Sequence, residues 1–155
     1  MKYTFVFLVT VYFLTACASS QTGTPIASPT VPFTESVSEW NVSMTHSGGI
    51  MGLLRHITVN SSGEFTITDE RVKQTKTGSL SPDDLGVLEN IIIHIQAVNV
   101  DVPKGIVCAD CFVYSVEIQR GGKPVIVELN DMSLPNSGYE QLVTELRRIM
   151  ENTLN

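Results

Sequence analysis

The polar and apolar positions of this chain change period in an orderly way, and each change marks an element. Trp40, Val42, Met44 and His46 alternate with Asn41, Ser43 and Thr45, the two-residue period of a strand with one buried face. After Gly48-Gly49, Leu53, Arg55, Ile57 and Val59 alternate with Leu54, His56 and Thr58. Asn60-Ser61-Ser62-Gly63 then supplies the turn chemistry of a hairpin into Phe65 and Ile67. A turn near Asp69 and Glu70 leads to a polar, Thr-rich stretch from Val72 to Thr77, predicted as an edge strand or one facing mostly solvent.

The period becomes helical at Ser81-Pro82-Asp83-Asp84. A serine cap, a proline at the first helical position and two carboxylates near the positive end of the helix dipole mark a start there. Leu85, Leu88, Ile92 and Ile95 follow at spacings of three or four and form one core-facing stripe, which Gly86 weakens somewhat. A hairpin comes next, with Phe112, Tyr114, Val116 and Ile118 before Arg120-Gly121-Gly122-Lys123 and Val125, Val127 and Leu129 after it. Ser137-Gly138-Tyr139-Glu140 has the spacing of a capping box and opens a last helix with Leu142, Leu146, Ile149 and Met150 on one side. The predicted order is ββββαββα, an α+β fold in which an antiparallel sheet carries two amphipathic helices on one face.

The amino terminus is of another kind. Met1 and Lys2 give a short basic start, Tyr3 to Leu14 form an apolar run too short to span a bilayer, and Leu14-Thr15-Ala16-Cys17 closes it with small residues. This is the pattern of a signal peptide over residues 1–16, and the L-T-A-C segment resembles the bacterial lipobox. That resemblance implies that Cys17 carries a thioether-linked diacylglyceryl group and becomes the new amino terminus. It also implies a lipid anchor in the bacterial cell membrane or outer membrane, facing the periplasm or the exterior. Residues 17–39, rich in Ser, Thr and Pro and without periodicity, read as a solvated tether. Residues 40–155 are the right size for one small domain.

Charge narrows the partners. Loss of Lys2 with the signal leaves nine of the ten basic residues against sixteen acidic ones, taking the formal net charge from −6 to −7. An acidic chain with scattered Lys and Arg argues against nucleic acid and against an electrostatic grip on anionic lipid, so membrane contact is expected through the lipid alone.

From Trp40 onward the chain resembles the emfourin family of small proteins. The resemblance rests on Ser47-Gly48-Gly49-Ile50-Met51-Gly52 followed by Leu54-Arg55, the Thr-rich hairpin, Leu80-Ser81-Pro82 before a helix, Phe112-x-Tyr114, a Gly-Gly turn, and Leu134-Pro135 before the last helix. It implies a protein inhibitor of a protealysin-like or thermolysin-like zinc metalloproteinase, tethered here to a membrane. Ser47, Gly48, Gly49, Ile50, Met51, Gly52 and Arg55 would then form the protease-binding segment. Ile50 stands where the family commonly has an aromatic residue.

Read from the residues alone, the S-G-G-x-x-G segment is either a structural hairpin needing glycine for positive φ or close backbone approach, or a binding loop with Ile50, Met51 and Leu53 as its apolar contacts. Cys108-Ala109-Asp110-Cys111 lacks the second pair of a zinc knuckle and precedes a strand, so in an exported domain a local disulfide is the leading reading, with metal or redox chemistry as alternatives. His46, His56 and His94 share no metal-ligand spacing, although His46 and His56 flank the glycine segment and could approach across a hairpin. Asp83 and Asp84 are better explained as partners of a helix dipole than as a general acid and base. Asn41-Val42-Ser43 and Asn60-Ser61-Ser62 fit the glycosylation sequon by chance in a bacterial lipoprotein. No nucleophile with a paired base, phosphate-cradling motif or metal triad appears, so no catalysis and no cofactor are expected. The alternative to an inhibitor is a non-enzymatic envelope lipoprotein that uses the same domain as a binding or structural module.

Overall fold

The computed structural model describes residues 39–95 and 108–155. The expected signal peptide, Cys17 and the tether as far as residue 38 lie outside them. The first alternating run folds as β1 (Trp40–Gly48) and the second as β2 (Leu53–Asn60). They are followed by β3 (Glu64–Asp69), β4 (Gln74–Ser79) and α1 (Pro82–His94). The chain continues with β5 (Phe112–Arg120), β6 (Val125–Asn130) and α2 (Glu140–Leu154). The order is ββββαββα, and the fold is α+β as expected.

Among the described residues all strand pairs are antiparallel, in a six-stranded sheet of order β4-β3-β2-β1-β5-β6. The first strand in sequence is therefore central, and its alternation decides which face is covered. Val42 lies opposite Val59 and Ile118, and Met44 opposite Ile57 and Val116, so three neighbouring strands bury one continuous apolar surface. Leu88 and Ile92 of α1 join that surface, as do Leu142, Val143, Leu146, Ile149 and Met150 of α2. Full burial of such side chains stabilises by about 1.5–3 kcal/mol each. The other face stays open, with Asn41, Thr58, Thr66, Glu117 and Glu128 exposed.

Caps account for the ends of α1. Ser81 Oγ accepts the N–H of Asp84 at 3.1 Å and donates to Asp84 Oδ2 at 2.7 Å. Asp84 also pairs with Arg148 of α2. These bonds, Ser81 first and Arg148 second, hold its carboxyl below the usual carboxylate range. At the far end, Arg120 donates to the carbonyls of Ile92 and Ile93 in the last turn at 2.8 and 2.9 Å.

Two boundaries differ from expectation. The edge strand starts at Gln74, not Val72. Asp69 Oδ1 accepts the N–H groups of Arg71 and Val72 at 3.0 and 3.4 Å, and Lys73 adopts φ 50°, which keeps the chain turning for two more residues. The expected capping box of α2 is also absent. The helix starts at Glu140 behind Tyr139, whose side chain makes no cap bond and is buried in the core. Ser137 Oγ accepts the N–H of Tyr139 at 3.1 Å, and the Glu140 carboxylate takes the N–H of Asn136. Asn136 and Gly138 both have positive φ, so Ser137 and Glu140 stabilise the approach to the helix instead of its first turn.

Candidate functional site

The segment between β1 and β2 closes as a turn in which the N–H of Gly52 donates to the carbonyl of Gly49 at 2.9 Å. Ile50 and Met51 occupy the two central positions and are 86% and 70% exposed. Glycine is required at the base. Gly48 has φ 103°, and a Cβ there would stand 2.4 Å from the carbonyl oxygen of Cys111. Gly49 has φ 68°, and its Cβ would stand 2.6 Å from the ring of Phe112. The N–H of Gly49 donates to that same Cys111 carbonyl at 3.2 Å. The tip is thus free while the base is pressed against the start of β5.

The layer beneath is aromatic and charged. His46, on the covered face of β1, stacks on Tyr114 with centroids 4.9 Å apart and meets Phe112 edge-on at 4.9 Å. Burial pushes its imidazole down to about 4, helped by the nearby cations Arg147 and Arg55 and opposed by Asp131 and Glu151. Among the described residues its Nε2 is buried without a hydrogen-bond partner, an arrangement tolerable only for a neutral ring. Tyr114 donates its O–H to Asp131 Oδ1 at 2.9 Å; burial first, and this bond second, push the phenol up to about 12. Asp131 Oδ2 accepts the N–H of Phe112 at 2.8 Å. One carboxylate therefore anchors both aromatic residues that support the loop.

Arg55 stands apart from the exposed tip. It lies on β2 opposite His46, and its Nε donates to Asp69 Oδ2 at 2.8 Å, a bond that is the main cause of Asp69 titrating below the usual range. Ser47 is half-buried on β1, and Leu53 is half-buried at the start of β2. The sulfur atoms of Cys108 and Cys111 lie at bonding distance, with Cα atoms 5.4 Å apart, beside the base of the loop. His46 and His56, which could have met across the hairpin, point to opposite faces: His46 faces the core, while His56, paired with Thr45, sits on the open face and shares a 2.9 Å hydrogen bond with the Thr45 hydroxyl. The period of two separates them, because His46 pairs with Arg55, one position before His56. His94 bonds the Asn90 carbonyl at 2.7 Å in the last turn of α1. Among the described residues, no group of three His, Cys, Asp or Glu side chains could hold a metal ion.

Two exposed apolar residues that the sequence reading did not single out lie at the same end of the sheet. Val72, 67% exposed, sits between β3 and β4, and Met132, 62% exposed, follows β6. Asp131 was equally hidden, since its partners Phe112 and Tyr114 are brought to it only by the pairing of β5 with β6. No known family model matches the chain, and no curated protein matches it.

Proposed function

We propose that this domain is a membrane-tethered, non-enzymatic inhibitor of a thermolysin-like zinc metalloproteinase, which it blocks by laying the Ser47–Gly52 loop in the active-site cleft. The observation that carries this reading is the near-complete exposure of Ile50 and Met51 on a turn whose base is held by Cys111 and Phe112. An exposed apolar side chain gains about 1.5–3 kcal/mol when an apolar pocket takes it from water. A loop already held in one shape loses little freedom on binding, so more of that gain appears as affinity. Gly52, with no atom of the described residues within 4 Å of where a side chain would project, leaves the backbone open to close approach on that side. The resemblance of Ser47 to Arg55 to emfourins supports the same partner.

The direction of β1 suits a tethered inhibitor. The chain enters the strand at Trp40 and reaches the loop after Gly48, so at ~3.4 Å per residue about 27 Å of strand separates the tether side from the binding tip. Cys17 carries the anchor in this reading. Its replacement by alanine is expected to abolish acyl labelling and shift the chain from the membrane to the soluble fraction; a Cys17→Ala chain that stays with the membrane as fully as wild type removes the anchor.

The test of function is a titration of a thermolysin-like protease of the same organism with the mature chain in detergent. Stoichiometric loss of protease activity is the expected result. Undiminished activity at excess chain would overturn the inhibitor and leave the domain as an envelope-binding module.

A further inference from the structure

We propose that the Cys108–Cys111 disulfide is a positioning device for the glycine loop, so that cleaving it weakens inhibition while the domain stays folded. The inhibition arm of this proposal rests on the function proposed above.

The geometry starts from the backbone of Cys111. Its carbonyl oxygen accepts the N–H of Gly49 and fills the space into which a Gly48 side chain would project. Phe112, the next residue, lays its ring against Gly49 and against His46. Phe112 is secured from the β6 side, where Asp131 Oδ2 takes its N–H at 2.8 Å and the N–H of Asp131 donates to its carbonyl at 3.3 Å. Through the Phe112 N–H Asp131 also orients the Cys111 carbonyl, which shares the planar peptide unit, but it does so from the Phe112 side only; Cys111 itself lies on the other side. It precedes the first residue of β5, at a strand end where backbone freedom is greatest, and Cys108, Ala109 and Asp110 are exposed and bring no packing to it. The bond to Cys108 supplies what packing does not. It closes the turn on itself and removes freedom from the residue whose carbonyl holds the loop.

The chemistry is confined to this one bond. A dithiol reductant attacks one sulfur through its thiolate, its second thiol displaces the mixed disulfide, and it leaves as a cyclic disulfide; two electrons and two protons end on Cys108 and Cys111 as thiols. The chain has three cysteines, and the third is Cys17, whose expected thioether does not react with thiols. Reduction therefore changes the support of the loop and no other covalent bond.

The experiment compares the mature chain oxidised, reduced with dithiothreitol, and as Cys108→Ser/Cys111→Ser. It uses amide hydrogen exchange, thermal melting and protease titration. Exchange at Gly49 and Gly52 should quicken on reduction while Met44 and Val116 in the sheet centre keep their protection. Inhibition should weaken about tenfold, mainly through faster dissociation, as a loop that must be ordered on binding loses affinity. Reoxidation should restore wild-type inhibition, and the double serine variant should ignore the reductant. Unchanged exchange at Gly49 overturns the proposal. So does faster exchange with unaltered inhibition, or global unfolding on reduction, which would make the bond a staple of the whole fold. If the oxidised wild type fails to inhibit, the inhibitor reading falls with its arm of this proposal, and the Gly49 exchange alone decides whether the disulfide braces the loop.

Discussion

Two glycine-rich hairpin turns lie at opposite ends of the sheet, and they differ in almost every physical respect. The β1–β2 turn at Gly48 to Gly52 is crowded at its base and apolar at its tip; the β5–β6 turn at Gly121-Gly122 has no atom within 4 Å of where a side chain would project from either glycine, and it is flanked by Arg120 and Lys123. Arg120 spends its guanidinium on the carbonyl end of α1, a service to the fold. Ile50 and Met51 serve no part of the core. Exposing two large apolar groups on a supported turn brings no stability to the domain, and these are the groups that the proposed partner would cover. Similar composition therefore yields a connector at one end and a presented surface at the other.

The sharpest way to break that contrast is to make the same substitution in both turns. Gly48→Ala must place a Cβ 2.4 Å from a backbone oxygen at φ 103°, whereas Gly121→Ala meets only its own φ of 60°. Denaturant unfolding is expected to show a loss of roughly 4 kcal/mol for Gly48→Ala and about 1 kcal/mol for Gly121→Ala. Equal losses would mean that the loop is not pressed on β5.

Acid should separate the two ends next. His46 lies under the glycine loop with its pKa lowered from 6.5 to about 4, so the unfolded chain binds the proton more readily than the folded one. The stability it confers is fully present above pH 6.5 and is lost as the pH falls from 6.5 through 4, by roughly 3 kcal/mol in all. Urea titrations across that window are expected to show the slope in wild type and a flatter profile in His46→Leu. Hydrogen exchange should quicken at Gly49 and Phe112 before it does at Gly121. An unaltered slope in the leucine variant would place the acid sensitivity elsewhere.

The smallest effect concerns binding alone. Ile50→Asp should weaken protease inhibition by about 2–3 kcal/mol, since a carboxylate would have to leave water for an apolar pocket, while stability changes by less than about 0.5 kcal/mol. Lys123→Asp in the opposite turn should leave inhibition unchanged. Competitive titrations with thermal melts as the folding control measure both, and inhibition that survives Ile50→Asp moves the contact away from this loop.

Local pattern was enough for much of this molecule. Alternation at Trp40, Val42, Met44 and His46 is a one-dimensional signal, because a strand turns successive side chains to opposite faces whatever it pairs with. The start of α1 was equally legible, since Ser81, Pro82 and Asp84 act within a single turn of chain. Where a start depended on distant burial, as at Tyr139, the local signal misplaced it by drawing Ser137 and Glu140 into a box they do not form.

What tertiary structure alone decided is which residues stand together. Strand order set β1 at the centre, between β2 and β5, and that placement pressed Cys111 and Phe112 onto Gly48 and Gly49 across more than sixty residues of chain. The sequence determined that the first turn carried glycines and two apolar residues; it could not say whether the glycines were there for freedom or for contact. It could not pair His46 with Tyr114 or Asp131 with Phe112, because a register is a choice between whole strands. That choice is settled by the burial of one common face, summed over Val42, Met44, Ile57, Val59, Val116 and Ile118, and not by any residue of the loop itself.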